Sequence, residues 1–253
     1  MKEMRIRVIK GSWLLGALLV LMIVAGAAVG VGAAKAVFRV GSRDLPIYNV
    51  QREDQKIALT FDCAWNDEDV DSILESLDQY QCKAVFFMVG TWAEKYPESV
   101  RKIHERGHEI GSHSYNHGDY TKMSEEKIKE DMEKCDQIIS GITGEQPKYF
   151  RAPSGGYNNT VVQTAEKTGR VYIQWSVDAL DYPEDATPDS IYRRATEKIN
   201  SGDIILMHNG TKYTAKVLPR ILENLTRRFE LSSLSELLYD DYVLDSAGMM
   251  IKK

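Results

Sequence analysis

Residues 84–89 read AVFFMV, six apolar side chains with no polar alternation. A strand with one wet face alternates. An unbroken apolar run of this length fits a strand buried on both faces, as in a parallel sheet layered between helices. The flanking sequence agrees. Upstream, IALTF (57–61) is another strand candidate, and Val70, Ile73, Leu74 and Leu77 then recur on one face of a helix over 69–80. Downstream, Pro97 starts a helix that Gly107 stops, and HEIGSH (108–113) reads as a third strand.

The alternation continues to the end of the chain. Ser124, followed by Glu125 and Glu126, caps a helix expected to end at Gly141. KYFRAP (148–153) precedes a helix near 159–168, VYIQWSV (171–177) precedes one begun by Thr187 and Pro188, and DIILMH (203–208) precedes one carrying Val217, Leu218, Ile221, Leu222 and Leu225. A short strand near Phe229 and a helix from Ser233 follow. About seven β/α units predict an α/β fold, an incomplete, distorted parallel β/α barrel. Its expected bounds are 54–240, with an extended connector over 35–53 and a tail over 241–253.

The N-terminus is different in kind. Lys2, Arg5, Arg7 and Lys10 face one acid, Glu3, and no charge follows from Gly11 to Ala34. Twenty-four uncharged residues exceed the roughly 20 that a helix needs to cross a bilayer. The basic flank, residues 1–10, predicts a cytoplasmic N-terminus, a transmembrane helix over 11–34 and an extracytoplasmic domain. The small residues of AAVGVGAAKA leave a cleaved signal peptide, and hence secretion, as the alternative.

Beyond residue 35 the chain holds 27 Lys/Arg against 36 Asp/Glu, a formal charge near −9. Such a surface argues against nucleic acid and suits a neutral or amine-bearing ligand. Cys63, Cys82 and Cys135 show no CxxC spacing, so neither a zinc knot nor a disulfide framework is indicated. Cys135 falls on an apolar helical stripe with Ile128, Met132 and Ile139 and reads as a buried small hydrophobe.

Reactive groups of parallel α/β folds gather at the strand ends. Here those ends supply Asp62, His113, Arg151, Asp178 with Asp181, and His208. HSYNH (113–117) spaces two imidazoles at i and i+4, near enough to share a divalent cation if the loop turns helically. Singly each residue has an ordinary explanation: a helix cap, an ion pair, a loop histidine or, for Trp175 and Leu206, core. The information lies in the set.

TFD (60–62), HSYNH, RAPSGGYN (151–158), WSVDALDY (175–182) and ILMHNG (205–210) resemble, in order, the motifs of the polysaccharide deacetylase family, also called carbohydrate esterase family 4 or the NodB-homology domain. The resemblance spans about 54–240. Within the family the chain looks similar to a sporulation-associated, membrane-anchored branch. It implies hydrolytic removal of N-acetyl groups from a cell-wall glycan, with peptidoglycan the expected polymer, and a divalent metal, expected to be zinc, as cofactor.

The resemblance also implies roles. His113 and His117 would hold the metal, Asp62 would be the general base paired with Arg151, and His208 would protonate the departing amine, supported by Asp178 or Asp181, with Asp178 preferred. Ser154, Gly155, Tyr157, Trp175 and Leu206 would line the substrate groove, Leu206 beside the acetyl methyl. Two departures stand out. Family members commonly read TFDD, the second Asp being the third metal ligand, whereas this chain has Cys63 there. A thiolate can ligate zinc, so Cys63 is carried as the candidate third ligand, beside a two-histidine metal or none. Ser154 also stands where an aromatic is usual. A wall-binding or sporulation protein without catalysis, or hydrolysis of another amide or ester, are the competing expectations.

Overall fold

The structure, a computed structural model, describes residues 44–253. The expected anchor over 11–34 and its basic flank lie outside the described residues. Among the described residues, no helix is long and apolar enough to cross a membrane.

The described residues form eleven strands in chain order: β1 (Asn49–Val50), β2 (Lys56–Cys63), β3 (Val85–Met88), β4 (Glu109–Ser112), β5 (Tyr149–Phe150), β6 (Val171–Tyr172), β7 (Val177–Asp178), β8 (Ile204–His208), β9 (Glu230–Leu231), β10 (Tyr242–Leu244) and β11 (Met249–Lys252). The main sheet is parallel, in the order β6-β5-β4-β3-β2-β8-β7, with β9 also paired to β2. This is the cyclic order of a β/α barrel opened between β6 and β7, an open, curled sheet.

The period-two alternation of the strands sorts side chains into two layers. Ala58, Val85, Phe87, Tyr149, Ile173 and Ile204 pack together on the inner face. Ile57, Leu59, Phe61, Phe86, Met88, Ile205 and Met207 pack outward with Val70, Ile73, Leu74 and Leu77 of the helix Val70–Gln79 and with Val217, Leu218, Ile221 and Leu222 of the helix Thr214–Thr226. AVFFMV is buried on both faces for this reason: Val85 and Phe87 serve one layer, Phe86 and Met88 the other.

Three elements depart from the sequence reading. The stretch 171–177 is two short strands, because Ile173 leaves the ladder to bridge Ile47. The helix begun by Ser124 runs through Gly141 to Thr143 and ends at Gly144, whose φ of +79° makes the left-handed cap. Gly141 has open space around its Cβ position and no geometric reason to stop a helix.

The third departure concerns the ends of the domain. Connector and tail meet: β1 pairs with β11, and β10 with β11. Residues 47–50 also form a strap from the edge strand β6 to the residues just before β8. Ile47 N donates to Tyr172 O, its carbonyl accepts from Gln174 N, and Val50 N donates to Gly202 O. A Cβ on Gly202 would fall 1.6 Å from the Val50 carbonyl oxygen, so only glycine admits this strap.

Candidate functional site

The C-terminal ends of the main-sheet strands surround a cavity of about 390 Å³ lined by Asp62, Ala64, Trp65, His113, His117, Ser154, Trp175, Asp178, Tyr182, Leu206 and His208. Of the residues expected at the site, Asp62, His113, His117, Ser154, Trp175, Asp178, Leu206 and His208 come together at this wall. Arg151 and Asp181 lie directly behind it. Gly155 and Tyr157 do not line it: Gly155 packs behind Trp175, and Tyr157 sets its ring edge-on to Tyr48 at 6.4 Å.

Asp62 is the centre of a buried polar network. Its Oδ1 accepts from Arg151 Nη1 at 2.7 Å. Arg151 Nη1 also donates to Thr60 Oγ1, and its Nη2 donates to the Gln174 carbonyl. The guanidinium lies 4.1 Å from the Phe87 ring centroid. Arg151 is wholly buried and Asp62 is 4% exposed. Burial pushes the Asp62 carboxyl up, but the Arg151 charge, helped by His113 and His208, outweighs it and holds Asp62 below its ordinary value. Asp62 is an ionised acceptor at neutral pH.

His113 stands beside it. Its Nδ1 lies 2.8 Å from the Arg151 carbonyl, which can only accept, so the proton sits on Nδ1 and Nε2 is bare. Burial lowers its pKa to about 4, so the ring is neutral at pH 7. Nε2 is 3.5 Å from Asp62 Oδ2, two acceptors facing one another. The His117 ring follows at 5.0 Å between centroids. The loop that joins them is not helical. Ser114 and His117 adopt left-handed φ of +67° and +59°, and His117 N donates to Ser114 Oγ. A sharp loop, rather than an i,i+4 helical face, brings the rings together.

Cys63 does not join them, which corrects the expectation of a third ligand. Asp62 takes the inner face of β2, and alternation sends Cys63 outward into the layer of Phe61, Val70 and Met88, where it is 0% exposed. Burial, with Asp62 and Asp69 nearby, pushes its thiol well above the usual range, away from the thiolate a metal needs. Among the described residues, no group of three His, Cys, Asp or Glu side chains is placed to hold a metal ion. Two imidazoles are present, but a three-residue metal site is not, so the donor set does not fit the family's metal.

The second histidine corner is complete. His208 Nδ1 lies 2.8 Å from Asp181 Oδ1, while Asp181 Oδ2 accepts from His208 N and Thr214 Oγ1. Burial opposes charge on His208, but the Asp181 hydrogen bond and charge prevail and raise its pKa. Asp178, preferred from the sequence, instead receives the Leu180 N–H, and burial raises its pKa. Asp181 is the partner because it is nearly fully buried behind the ring, where Asp178 faces the cavity.

Three lining residues were not singled out from the sequence: Ala64, Trp65 and Tyr182. The rings of Trp65 and Tyr182 lie 5.3 and 5.1 Å from the His208 ring. Gln174 was missed as well; its side chain donates to the Gly155 carbonyl and steadies the Ser154–Gly155 turn. Large aromatics next to motif residues were the available signal for Trp65 and Tyr182.

The polysaccharide deacetylase family profile matches residues 49–173. A peptidoglycan-N-acetylglucosamine deacetylase of Bacillus cereus is 32% identical over 197 residues, 76% of this chain and 92% of that protein. The uncharacterized protein YlxY of Bacillus subtilis is 32% identical over 200 residues, 79% of this chain and 62% of that protein. The chain thus spans less than two thirds of some of its relatives. Among solved structures, a CE4 family pseudoenzyme from Bacillus anthracis superposes with a TM-score of 0.73 at 28% identity, covering 83% of this chain and 73% of that one. A mutant of that pseudoenzyme with restored enzymatic activity superposes equally well at 31% identity, over 76% of this chain and 71% of that one. With this fold, these motifs and this site geometry, the chain belongs to the polysaccharide deacetylase family.

Proposed function

We propose that the chain is a cell-wall glycan-binding member of the family in which metal-dependent deacetylation is impaired. The observation that carries the reading is the placement of Cys63. The residue beside the ionised Asp62 faces the apolar outer layer, and among the described residues no three-residue metal site forms around His113 and His117. Similarity to a pseudoenzyme supports it, and the names of the deacetylase relatives support an N-acetylated peptidoglycan as the bound polymer.

The site retains what binding needs. Asp62 Oδ2 and the bare His113 Nε2 are acceptors for a sugar hydroxyl or an acetamido N–H, and Leu206 with Trp175 offers an apolar surface for an acetyl methyl. An acidic domain on the outer membrane face, anchored through 11–34, would meet a wall glycan at close range. The sporulation-associated branch rests on Cys63 and the apolar N-terminal stretch.

A second reading is favoured by the intact Asp62–Arg151 and Asp181–His208 pairs: hydrolysis of an acetamide or another acyl group. The deciding experiment measures zinc content by elemental mass spectrometry and acetate release from N-acetylated glycan by the full chain. The expected result is substoichiometric metal, no acetate release and retained glycan binding. Stoichiometric metal with steady acetate release would overturn the reading in favour of hydrolysis.

A further inference from the structure

A second cavity, of about 480 Å³, opens at the other end of the sheet. Glu109 and Tyr149, the first residues of β4 and β5, line it together with His108, Ile110 and Ile139. The N-terminal ends of barrel strands ordinarily serve stability, and buried polar groups are ordinarily paired. Two groups here are not. Among the described residues, His108 Nε2 and Tyr149 Oη are buried atoms without a hydrogen-bond partner, on residues only 4% and 3% exposed.

Both orphans are donors. His108 Nδ1 accepts from Ala84 N at 3.3 Å, so the ring proton sits on Nε2, which is then no metal ligand. Burial, with Lys83 nearby, lowers the His108 pKa to about 4 and keeps the ring neutral at pH 7. Burial and the charge of Glu109 push the Tyr149 hydroxyl up, so it keeps its proton. Glu109 is already engaged, accepting from Leu234 N and Ser235 N at 2.7 and 3.2 Å. One water is too small an occupant. The cavity far exceeds the roughly 30 Å³ that a water takes and lies within the roughly 300–1,000 Å³ of small-ligand pockets.

We infer that this cavity binds a short neutral peptide segment, whose backbone carbonyl accepts from His108 Nε2 and Tyr149 Oη while an aliphatic side chain packs on Ile110, Ile139 and Pro147. The site is separate from the groove, and the inference does not depend on the glycan-binding reading. Two unpaired donors call for acceptor oxygen. Glu145 and Lys148 bring opposite charges to the lining, so with Glu109 the wall is net acidic and disfavours a carboxylate or phosphate. A sugar would need an open aromatic face. The Tyr149 ring is instead buried, with the Lys148 ammonium 5.5 Å from its centroid, and the other apolar lining is aliphatic.

The test titrates the full chain in detergent with N-acetylleucinamide, following the Ile110 and Ile139 methyl resonances by NMR. N-acetylleucine and the tetramer of N-acetylglucosamine are the anionic and sugar comparisons. The expected result is saturable shifts with N-acetylleucinamide and at least fivefold weaker binding by Tyr149→Phe. Removing an unpartnered hydroxyl should leave the thermal midpoint unchanged or raised, so loss of fold does not confuse the result. A lowered midpoint would show that the hydroxyl is paired and overturn the site. So would an absence of saturable shifts in the wild type, or binding that Tyr149→Phe retains in full. Tighter binding of N-acetylleucine or of the sugar would overturn the peptide assignment. The L and D enantiomers are titrated separately: preference for L supports a protein segment as the source, and preference for D supports a wall peptide.

Discussion

The groove has two histidine corners, and they are built differently. His208 is backed by Asp181, which holds both its ring and its backbone N–H and is itself held by Thr214. His113 is equally well anchored, through Nδ1 to the Arg151 carbonyl, but its bare Nε2 faces Asp62 and a second imidazole, and among the described residues no three-residue metal site forms there. One corner keeps its full supporting shell. The other keeps its scaffold and lacks a ligand. A metal site is the more easily lost of the two, because it needs several donors on one face at once, and one side chain facing the wrong layer removes it.

The comparison can be broken most severely at the Arg151–Asp62 network behind the His113 corner. Arg151→Met would leave the Asp62 carboxylate buried without its cation, and a destabilisation of about 3–5 kcal/mol is expected. Urea unfolding of the variant measures it; a loss below about 1 kcal/mol would mean that Asp62 is solvated and the network looser than described.

Cys63→Asp sharpens the contrast next. A carboxyl among Phe61, Val70 and Met88 lacks hydrogen-bond partners and should destabilise the metal-free protein by about 2–3 kcal/mol. That carboxylate escapes only by turning toward the histidines, so added zinc should raise its thermal midpoint well beyond the wild-type response. Equal zinc responses would show that the strand end cannot turn.

Asp181→Asn addresses the complete corner. The folded His208 pKa is raised, so the stabilisation from this pair is present below the ordinary histidine value and disappears as pH rises through the folded one. The variant should therefore lose about 2 kcal/mol near pH 5 and distinctly less at pH 9. A loss that does not vary with pH would assign Asp181 to its Thr214 and backbone bonds alone.

The smallest effect is expected at His117→Gly. Relief of the left-handed backbone at φ +59° opposes the extra freedom glycine brings to the unfolded chain, and the net change should stay within about 0.5 kcal/mol. A larger loss would mean that the His117 ring supports the loop and makes this corner a structural element.

Much of this was legible in the chain itself. Two periods, 2 and 3.6, are local properties, so the strand at 84–89, the helix at 69–80 and the parallel architecture follow from short windows. The motif order alone placed Asp62, His113, Arg151 and His208 at one end of the sheet. The motif spelling carried Cys63 to the site as well, and the burial of the thiol in the outer layer came only with the structure.

What only the tertiary structure decided depends on contacts between distant segments. Asp181 rather than Asp178 holds His208 because a loop after β7 meets the end of β8, a separation of 27 residues. The break at Ile173 and the union of β1 with β11 arise because residues 47–50 cross an opening that exists only once the sheet has curled. Trp65 and Tyr182 face His208 for the same reason: hydrophobic patterning specifies which side chains are buried, whereas the packing of the loops selects which exposed ones meet.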